Sequence, residues 1–544
     1  MQSFISLSKT IEVQIEKYRH LIAGIFFICF FIIGILISKD FGVHWDEYRN
    51  QDFGNRWTTY ISGVIKSRSF TKPYPHKPPR HLLQDHDFIH GPFLETSLTL
   101  LKIKLRLTDS REIILLRHLT IFIIFFIGTI VFYFLCLHHF RNWKLALLGT
   151  LFLILTPRLF SHAFYNTVDI GFLVFFTSAI FTLINFLKKK TYGSLTLHAA
   201  ISALACDIRI IGTLLIPFTI ASILAAPAKN KNKSIIDSKF LLFFLFLFTI
   251  LFILFCPYLW ISPYSQFLLV LKAILGVRHN PSVFYLGESF PIESLPWHYV
   301  PVWILASTPL IYIILFMMGC ISLAKLFINK TPKPSIHRIE IILFIFWLFI
   351  PLLLSKGRAY DTWRHFFFIY PAFIIIAIKG VQYILEGFKK EFCGRTLAFF
   401  HFSLTVILSI NLISVVVFMI KNHPFEDFYF NSLAGKNMQE IKKNFELNYW
   451  GTPYKQALEY ILKHDPSRLI RIQFSKEEPG NNNLKILPIA DRQRFLSVDK
   501  KSKPKYFIAQ IKNPEDWPYK NEYYSILING TKILTVFRLN YHRG

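Results

Sequence analysis

The chain has 544 residues, of which 53% are hydrophobic, and its mean hydropathy is +0.40. This composition excludes an ordinary soluble enzyme and indicates many membrane spans. The net charge of +28 does not predict a nucleic-acid partner, because the Lys and Arg residues stand mainly between apolar runs, where they set topology and contact anionic membrane lipids. The six cysteines are scattered without zinc spacing, so no disulfide framework is expected.

The first apolar run, Leu21–Ser38, is longer than the apolar core of a secretion signal and lacks a small-residue cleavage site. We therefore expect it to be a retained first helix. Ten further runs follow: Leu119–Leu137, Leu145–Thr156, Ile170–Leu187, Leu195–Cys206, Ile210–Ala226, Phe240–Leu259, Pro301–Leu323, Ile341–Ser355, Phe366–Ile378 and Leu397–Ile420. The sequence thus predicts an all-α transmembrane domain of about eleven helices over residues 1–420.

Basic residues between these runs predict the orientation of the chain. Short loops rich in Lys, such as Lys188–Lys190 and Lys389-Lys390, alternate with sparser loops in the register that places the N-terminus inside. The first loop, residues 39–117, is then external and is expected to contain juxtamembrane helices. An odd number of spans places the tail after Ile420 outside as well.

The ionisable residues near the predicted spans converge on the outer leaflet. Charges at membrane depth are costly and usually functional, although any one of these residues is equally consistent with a water-facing loop. The set consists of Asp46, Glu47, Arg158, Asp169, Asp207, Arg209, Arg358, Asp361, Arg364 and His365. Together they predict a catalytic cavity that opens outward.

Residues 421–544 are more polar and carry short alternating apolar runs, among them Arg468–Phe474, Tyr506–Ile511 and Tyr524–Leu539. The last run contains Asn529-Gly530, a pair typical of a two-residue hairpin turn. Helical patterning at Tyr454–Leu462 precedes these strands. The sequence predicts a small external α/β domain at the C-terminus.

Several motifs occur in a characteristic order. His44-Trp45-Asp46-Glu47-Tyr48 follows the first helix, and His86–Pro92 lies further along the same loop. Thr156-Pro157-Arg158 then leads to Tyr165–Asp169. This order resembles the GT-C glycosyltransferases, specifically the bacterial branch of the superfamily of dolichyl-phosphate-mannose-protein mannosyltransferases and lipid A aminoarabinose transferases. In that family an acidic pair follows the first helix, a proline motif comes next, and a second Asp lies in the following external loop.

Later segments extend the resemblance over nearly the whole chain. Leu295–Val302 resembles a Pro-Trp-x-Tyr element, Tyr360–Phe366 an Arg-His motif, and Asn448–Lys455 a Tyr-Trp-Gly motif. The proline motif departs from the family pattern. His90-Gly91-Pro92 has the better position but lacks a proline pair, whereas Lys77-Pro78-Pro79 has the pair but lies earlier in the loop.

The resemblance implies transfer of a sugar from a polyprenyl-phosphate-linked donor to an acceptor hydroxyl at the outer membrane face. The acceptor is a lipid, a glycan or a protein, and the sugar is left open. Asp46 matches the family's first acidic residue and is assigned as general base, with inversion at the anomeric carbon. Glu47 either orients Asp46 or binds a cation, and Asp169 could share either role. The alternative for Asp46 is a cap or salt bridge on a juxtamembrane helix.

The departing phosphate needs positive charge, and Arg offers two parallel hydrogen bonds to it. Arg209 is the first candidate, although an internal pair with Asp207 is the alternative. Arg364 and His365 are the second candidates. Further motif contacts are His90, Pro92 and Arg158, and zinc ligation by His90 is a weaker alternative. The sequence requires no cofactor, and a divalent cation is left open.

The resemblance also favours a multi-pass protein of the bacterial inner membrane, with the active site and the C-terminal domain facing the periplasm. Two other functions stay open at this point. A secondary transporter would carry charges near the bilayer midplane and inverted repeats. A lipid-carrier-dependent polymerase or ligase of surface polysaccharide would share the substrates without the early acidic pair.

Overall fold

The computed structural model describes residues 16–67, 90–226, 233–260, 262–275, 282–328, 336–355, 359–447, 450–510 and 519–540. The first half of the chain is helical. Its helices are α1 (Arg19–Ile37), α2 (Glu47–Ser67), α3 (Phe93–Lys104), α4 (Ser110–Phe140), α5 (Trp143–Ile154), α6 (Pro157–Tyr165), α7 (Thr167–Lys189), α8 (Tyr192–Ile208), α9 (Leu215–Ala225), α10 (Lys233–Phe255) and α11 (Pro263–Leu275).

A short hairpin interrupts the helices. It consists of β1 (Ser282–Tyr285) and β2 (Glu288–Pro291), paired antiparallel, and it was not predicted. The remaining helices of this part are α12 (Tyr299–Ser307), α13 (Leu310–Ile328), α14 (Ile336–Leu353), α15 (Tyr370–Glu391) and α16 (Gly394–Asn422). A 3₁₀ turn, Arg364–Ile369, leads into α15.

Seven helices in the described ranges are long and apolar enough to cross a membrane, and the pair α5–α6 makes eight if it counts as one bent span. The protein is therefore a multi-pass membrane protein. All eleven predicted runs are largely helical, but the count of eleven spans is not confirmed, because some helices are too short to cross a bilayer alone. Helix α9, for instance, has 11 residues. The predicted run Pro301–Leu323 is divided into α12 and α13.

Two long helices link the faces of the membrane. Helix α4 begins at its N-cap Asp109, whose side chain accepts the Arg111 N–H at 3.0 Å, and runs for 31 residues. Arg117-His118 and His138-His139 on this helix are separated by roughly 31 Å at 1.5 Å per residue. Helix α7 likewise carries Asp169 in its first turn and Lys188 in its last, so each helix presents ionisable groups at both ends.

The chain after α16 forms an α/β unit, as predicted. Its elements are α17 (Met438–Asn444), α18 (Tyr454–His464), β3 (Ile470–Phe474), α19 (Glu477–Lys485), α20 (Ile489–Arg492), β4 (Phe495–Ser497), β5 (Tyr506–Gln510), β6 (Glu522–Ile528) and β7 (Thr531–Arg538). The sheet order is β4-β3-β5-β7-β6. Asn529-Gly530 joins β6 to β7 with both residues at positive φ, which confirms the predicted hairpin. The division at residues 420/421 stays a prediction.

Candidate active site

Asp169 is the buried centre of an ionic cluster at one membrane face. Its side chain is only 1% exposed, and it pairs with Arg209 and, at 3.2 Å, with Nη1 of Arg364. Asn166 donates a third hydrogen bond to the carboxylate at 2.8 Å and also caps the start of α7. Asp169 thus fixes two guanidinium groups side by side, and it is fully occupied in doing so.

Arg364 joins this pair to two more accessible carboxylates. Its Nη2 lies 3.1 Å from Oδ2 of Asp361 and 3.8 Å from Oδ2 of Asp46. The side chains of these two residues are 34% and 30% exposed. The sequence predicted that Asp46, Asp169 and Arg364 lie at one leaflet. In the structure, both aspartates contact Arg364.

Local backbone conformation presents Asp46 to the cluster. It directly precedes α2, and its N–H donates to Nδ1 of His44 at 3.1 Å. The N–H of Trp45 donates to the Trp450 carbonyl at 3.1 Å. These bonds hold the turn on both sides of the carboxylate, so Asp46 is an accessible carboxylate on a fixed backbone.

Glu47 points away from Asp46 into the protein. It is 2% exposed, and its carboxylate lies 3.3 Å from Nε2 of His118 and 3.6 Å from Nε of Arg117. Burial works against ionisation of Glu47, but His118, His44 and Arg117 outweigh it and hold the pKa of the carboxyl below its usual value. Glu47 is therefore a buried carboxylate paired with groups on α4.

Arg117 is itself locked by a second carboxylate. It makes a two-point pair with Glu95, with distances of 2.8 and 3.1 Å, and both residues are buried. Its Nη2 also lies 3.3 Å from the Thr167 hydroxyl at the start of α7. The pairs of Arg117 therefore tie α2, α3, α4 and α7 together beneath the cluster. Sequence reasoning missed Glu95 and Arg117, because they read as ordinary helix-end charges.

The turn His90-Gly91-Pro92 packs against the end of α8. The Gly91 N–H donates to the Asp207 carbonyl at 2.6 Å, and the Phe93 N–H donates to Oδ2 of Asp207 at 3.0 Å. A Cβ at position 91 would lie 2.1 Å from that carbonyl oxygen. Proline lacks the N–H and carries the Cβ, so this turn does not accommodate a proline at position 91. The rival Lys77-Pro78-Pro79 lies outside the described residues.

His90 is uncharged at neutral pH. Loss of solvent around the imidazole, with Arg209 nearby, lowers the pKa of His90 to about 3. In the described part of the chain, Nδ1 of His90 and Oδ1 of Asp207 are buried without a hydrogen-bond partner. Both residues line a small cleft whose other walls are largely apolar, including Trp57, Phe252 and Phe267.

Two predicted residues lie beside the cluster. Arg158 is buried over the rings of Trp303 and Phe430, with its guanidinium carbon 5.3 and 5.5 Å from their centroids. The ring of His365 stands edge-on to Tyr360, with centroids 4.5 Å apart. Pro92 is the N-cap of α3. The roles assigned to these residues stay predictions.

The C-terminal unit adds a side chain to the site. Trp450 stacks on His44 at 4.5 Å, and the guanidinium carbon of Arg364 lies 4.8 Å from the Trp450 ring centroid. Trp450 belongs to the Tyr-Trp-Gly segment that the sequence singled out without assigning it to the site. Its neighbours in that motif, Asn448 and Tyr449, lie outside the described residues.

The Pro-Trp-x-Tyr segment also contributes, through Tyr299. The Tyr299 hydroxyl accepts the N–H of Thr362 at 3.1 Å. Asp361 and Thr362 both have positive φ, 52° and 67°, which is costly for residues other than glycine and is typical of functional loops. Tyr299 therefore supports the turn that brings Asp361 to Arg364.

No family model and no curated protein matches the sequence. Several solved structures are similar. An oligosaccharyltransferase from Archaeoglobus fulgidus, tethered to an acceptor peptide with the NVT sequon, aligns over 91% of this chain and 69% of its own at 11% identity and TM-score 0.46. ArnT from Cupriavidus metallidurans aligns over 94% of this chain and 97% of its own. With undecaprenyl phosphate bound, the identity is 11% and the TM-score 0.43; in the apo state they are 10% and 0.44. The likeness is one of fold.

Proposed function

We propose that this chain is a GT-C glycosyltransferase that moves a sugar from a polyprenyl-phosphate donor to an acceptor hydroxyl, with inversion and with Asp46 as general base. The observation that carries the proposal is the placement of Asp46. It is an accessible carboxylate 3.8 Å from Arg364, in a cluster where Asp169 also holds Arg209. A base beside two fixed arginines is what hydroxyl attack with a phosphate leaving group requires.

The arginines stabilise the phosphate as negative charge develops on it. Arg209 and Arg364 are held by Asp169, so they need little rearrangement when the donor binds. Polyprenyl phosphate is already a good leaving group, and no separate general acid is assigned. Glu47 acts behind Asp46 as a positioning residue through its contacts with His118 and Arg117.

The cleft beside His90 supports a lipid donor. Its walls are mostly apolar, and Nδ1 of His90 and Oδ1 of Asp207 supply polar atoms near the ionic cluster. Apolar walls of this kind suit part of an isoprenoid chain. The proposal includes the predicted orientation in a bacterial inner membrane, with the cluster and the C-terminal unit in the periplasm. The acceptor is a lipid, glycan or protein hydroxyl.

The test is Asp46→Asn in purified protein supplied with a synthetic polyprenyl-phosphate donor carrying a radiolabelled sugar. We expect at least a hundredfold loss of sugar transfer, within the 10²–10⁴-fold range typical of general-base catalysis. The matched control is Asp52→Asn on α2, because Asp52 is exposed and pairs with Arg56 on the surface at 2.9 Å. The control should retain full turnover.

The same assay distinguishes the rival functions. Undiminished turnover in Asp46→Asn would remove Asp46 as the base. Movement of unmodified substrate across vesicles without transfer of label would favour a transporter. Labelled product that grows in repeating units would favour a polysaccharide polymerase.

A further inference from the structure

A cluster of imidazoles surrounds one buried carboxylate at the membrane face opposite the acidic cluster. Glu340, in the first turns of α14, is 3% exposed. His138 and His139 reach it from the end of α4, and His337 reaches it from one turn earlier on α14. The proposed transfer reaction uses none of these residues, which lie roughly 31 Å along α4 from His118.

The two oxygens of Glu340 have different neighbours. Oε1 lies 3.3 Å from Nε2 of His138 and 3.8 Å from Nζ of Lys188, so a lysine already compensates its charge. Oε2 lies 3.0 Å from Nδ1 of His139 and 3.8 Å from Nδ1 of His337. The Oε2 side therefore offers two imidazole nitrogens and a carboxylate oxygen, and these three atoms lie within 4.8 Å of one another.

These donors suit a divalent transition metal. Two neutral imidazoles and one carboxylate are an established protein ligand set for Zn²⁺, with bonds of roughly 2.0–2.2 Å. Residues three apart on a helix share one face, so His337 and Glu340 form a local chelate that His139 closes from α4. Among the described residues, this is the one group of three such side chains close enough to share an ion.

Access to the group runs through His337. Its side chain is 50% exposed, whereas His139 and Glu340 are buried. The His139 and His337 rings are stacked, with centroids 4.6 Å apart and an interplanar angle of 19°. Because a shared ion must lie in the plane of each ring, His337 has to turn its Nδ1 toward Oε2, and its exposure gives it room to do so.

We infer that His139, His337 and Glu340 bind a divalent transition metal of the zinc class, which joins α4 to α14 at the face opposite the transfer site. The ion completes its coordination with water on the exposed side of His337. It clamps two helices that are far apart in the sequence. It takes no part in sugar transfer.

The experiment is a titration of the metal-stripped full-length protein with Co²⁺, which substitutes for Zn²⁺ and absorbs visible light when bound. We expect one equivalent of bound Co²⁺, displaced by Zn²⁺, and a higher unfolding temperature with either metal. His337→Ala should weaken Co²⁺ binding at least tenfold and abolish the stabilisation by metal. His20→Ala, an exposed histidine near the start of α1, is the matched control and should bind as the wild type does.

His337→Asn provides a second test, because it keeps a polar side chain but removes the imidazole ligand. It should lose the metal as His337→Ala does while eluting as a monodisperse protein. Absence of stoichiometric Co²⁺ binding in the wild type would overturn the inference. So would binding that survives in both folded His337 variants.

Discussion

At the level of single residues, one buried carboxylate, that of Asp169, holds both Arg209 and Arg364. Asp46, Asp169, Arg209 and Arg364 could be selected because each flanks an apolar run, where charge is expensive. Asp207 looked like the natural partner of Arg209. Residues two apart do not face each other on a helix, and Arg209 leaves α8 in an extended conformation, φ −146° and ψ 127°, which carries it to Asp169 instead.

Arg209 allows a direct test of phosphate binding. Arg209→Ala should lower kcat/KM for the polyprenyl-phosphate donor about ten- to a hundredfold, because a hydrogen bond to a charged group contributes about 1.5–3 kcal/mol. Folding should be retained, since Arg364 still pairs with the buried carboxylate of Asp169. Arg56→Ala is a suitable control, as Arg56 lies on α2 and forms an ion pair with the exposed Asp52.

The measurement is donor-dependent transfer of labelled sugar, with thermal unfolding followed in parallel. Donor kinetics equal to those of the wild type would exclude Arg209 from the phosphate site. If the Arg209→Ala variant unfolds, Arg209 has a purely structural role beside Asp169 instead.

At the level of elements, hydropathy predicts helices well and their breaks poorly. Every apolar run is largely helical because a backbone in lipid must satisfy its own hydrogen bonds. The breaks depend on single residues. Pro157 begins α6 at a 68° angle to α5, and Pro309 separates α12 from α13. The β1–β2 hairpin was missed because each of its strands has only four residues, too short for an alternating pattern to be recognised.

The contact between α19 and the first loop could not be predicted, because it depends on one polar side chain. Asn483 is fully buried. Its Oδ1 accepts the Val43 N–H at 2.8 Å, and its Nδ2 donates to the Val43, Gly451 and Pro479 carbonyls at 2.9, 3.2 and 2.8 Å. Nothing in the composition of a run of three asparagines indicates which one binds backbone groups elsewhere in the chain.

Asn483→Ala should release the C-terminal unit from the first loop. The substitution removes the side chain that satisfies the buried N–H and carbonyl of Val43, at a cost of about 2–4 kcal/mol. We expect faster hydrogen exchange in residues 40–48 and reduced sugar transfer, since Asp46 lies in that segment. Asn481→Ala on the same helix is the control. Unchanged hydrogen exchange at residues 40–48 in Asn483→Ala would contradict the attachment of the C-terminal unit to the first loop through Asn483.

At the scale of the whole molecule, the fold class follows from composition, but the position of the C-terminal unit does not. The change from apolar runs to short alternating ones correctly indicated a small α/β region. Its attachment depends on polar contacts such as the Arg492–Asp109 ion pair, which joins α20 to the N-cap of α4. The two residues of this pair are 383 positions apart. Because the chain has 61 Lys and Arg residues, the sequence does not indicate which of them pairs with Asp109.

A second attachment point predicts a pH dependence of stability. His423, just after α16, has Nε2 3.2 Å from Oδ2 of Asp40 and Nδ1 2.6 Å from Oε1 of Glu426. Burial works against protonation of His423, but Glu426 and Asp40 outweigh it and raise its pKa above the usual value. A raised folded-state pKa contributes stability that is complete below the unfolded pKa of about 6.5 and is lost as pH rises through the folded value.

Burial also raises the pKa of Glu426, so its titration changes stability with the same sign. The unfolding temperature of the wild type should therefore fall as pH rises above about 6.5, and it should fall less in His423→Gln. Equal slopes in the two proteins would show that His423 remains neutral in the folded state.

The ionisable groups at both ends of α4 also bear on the lipids around the protein. Arg117 and His139 are each fixed by a carboxylate, and the roughly 33 Å between them is close to the hydrocarbon thickness of an ordinary bilayer. A helix anchored at both ends cannot slide or shorten to match other acyl-chain lengths. In lipids that are too short or too long, the membrane has to deform around the protein.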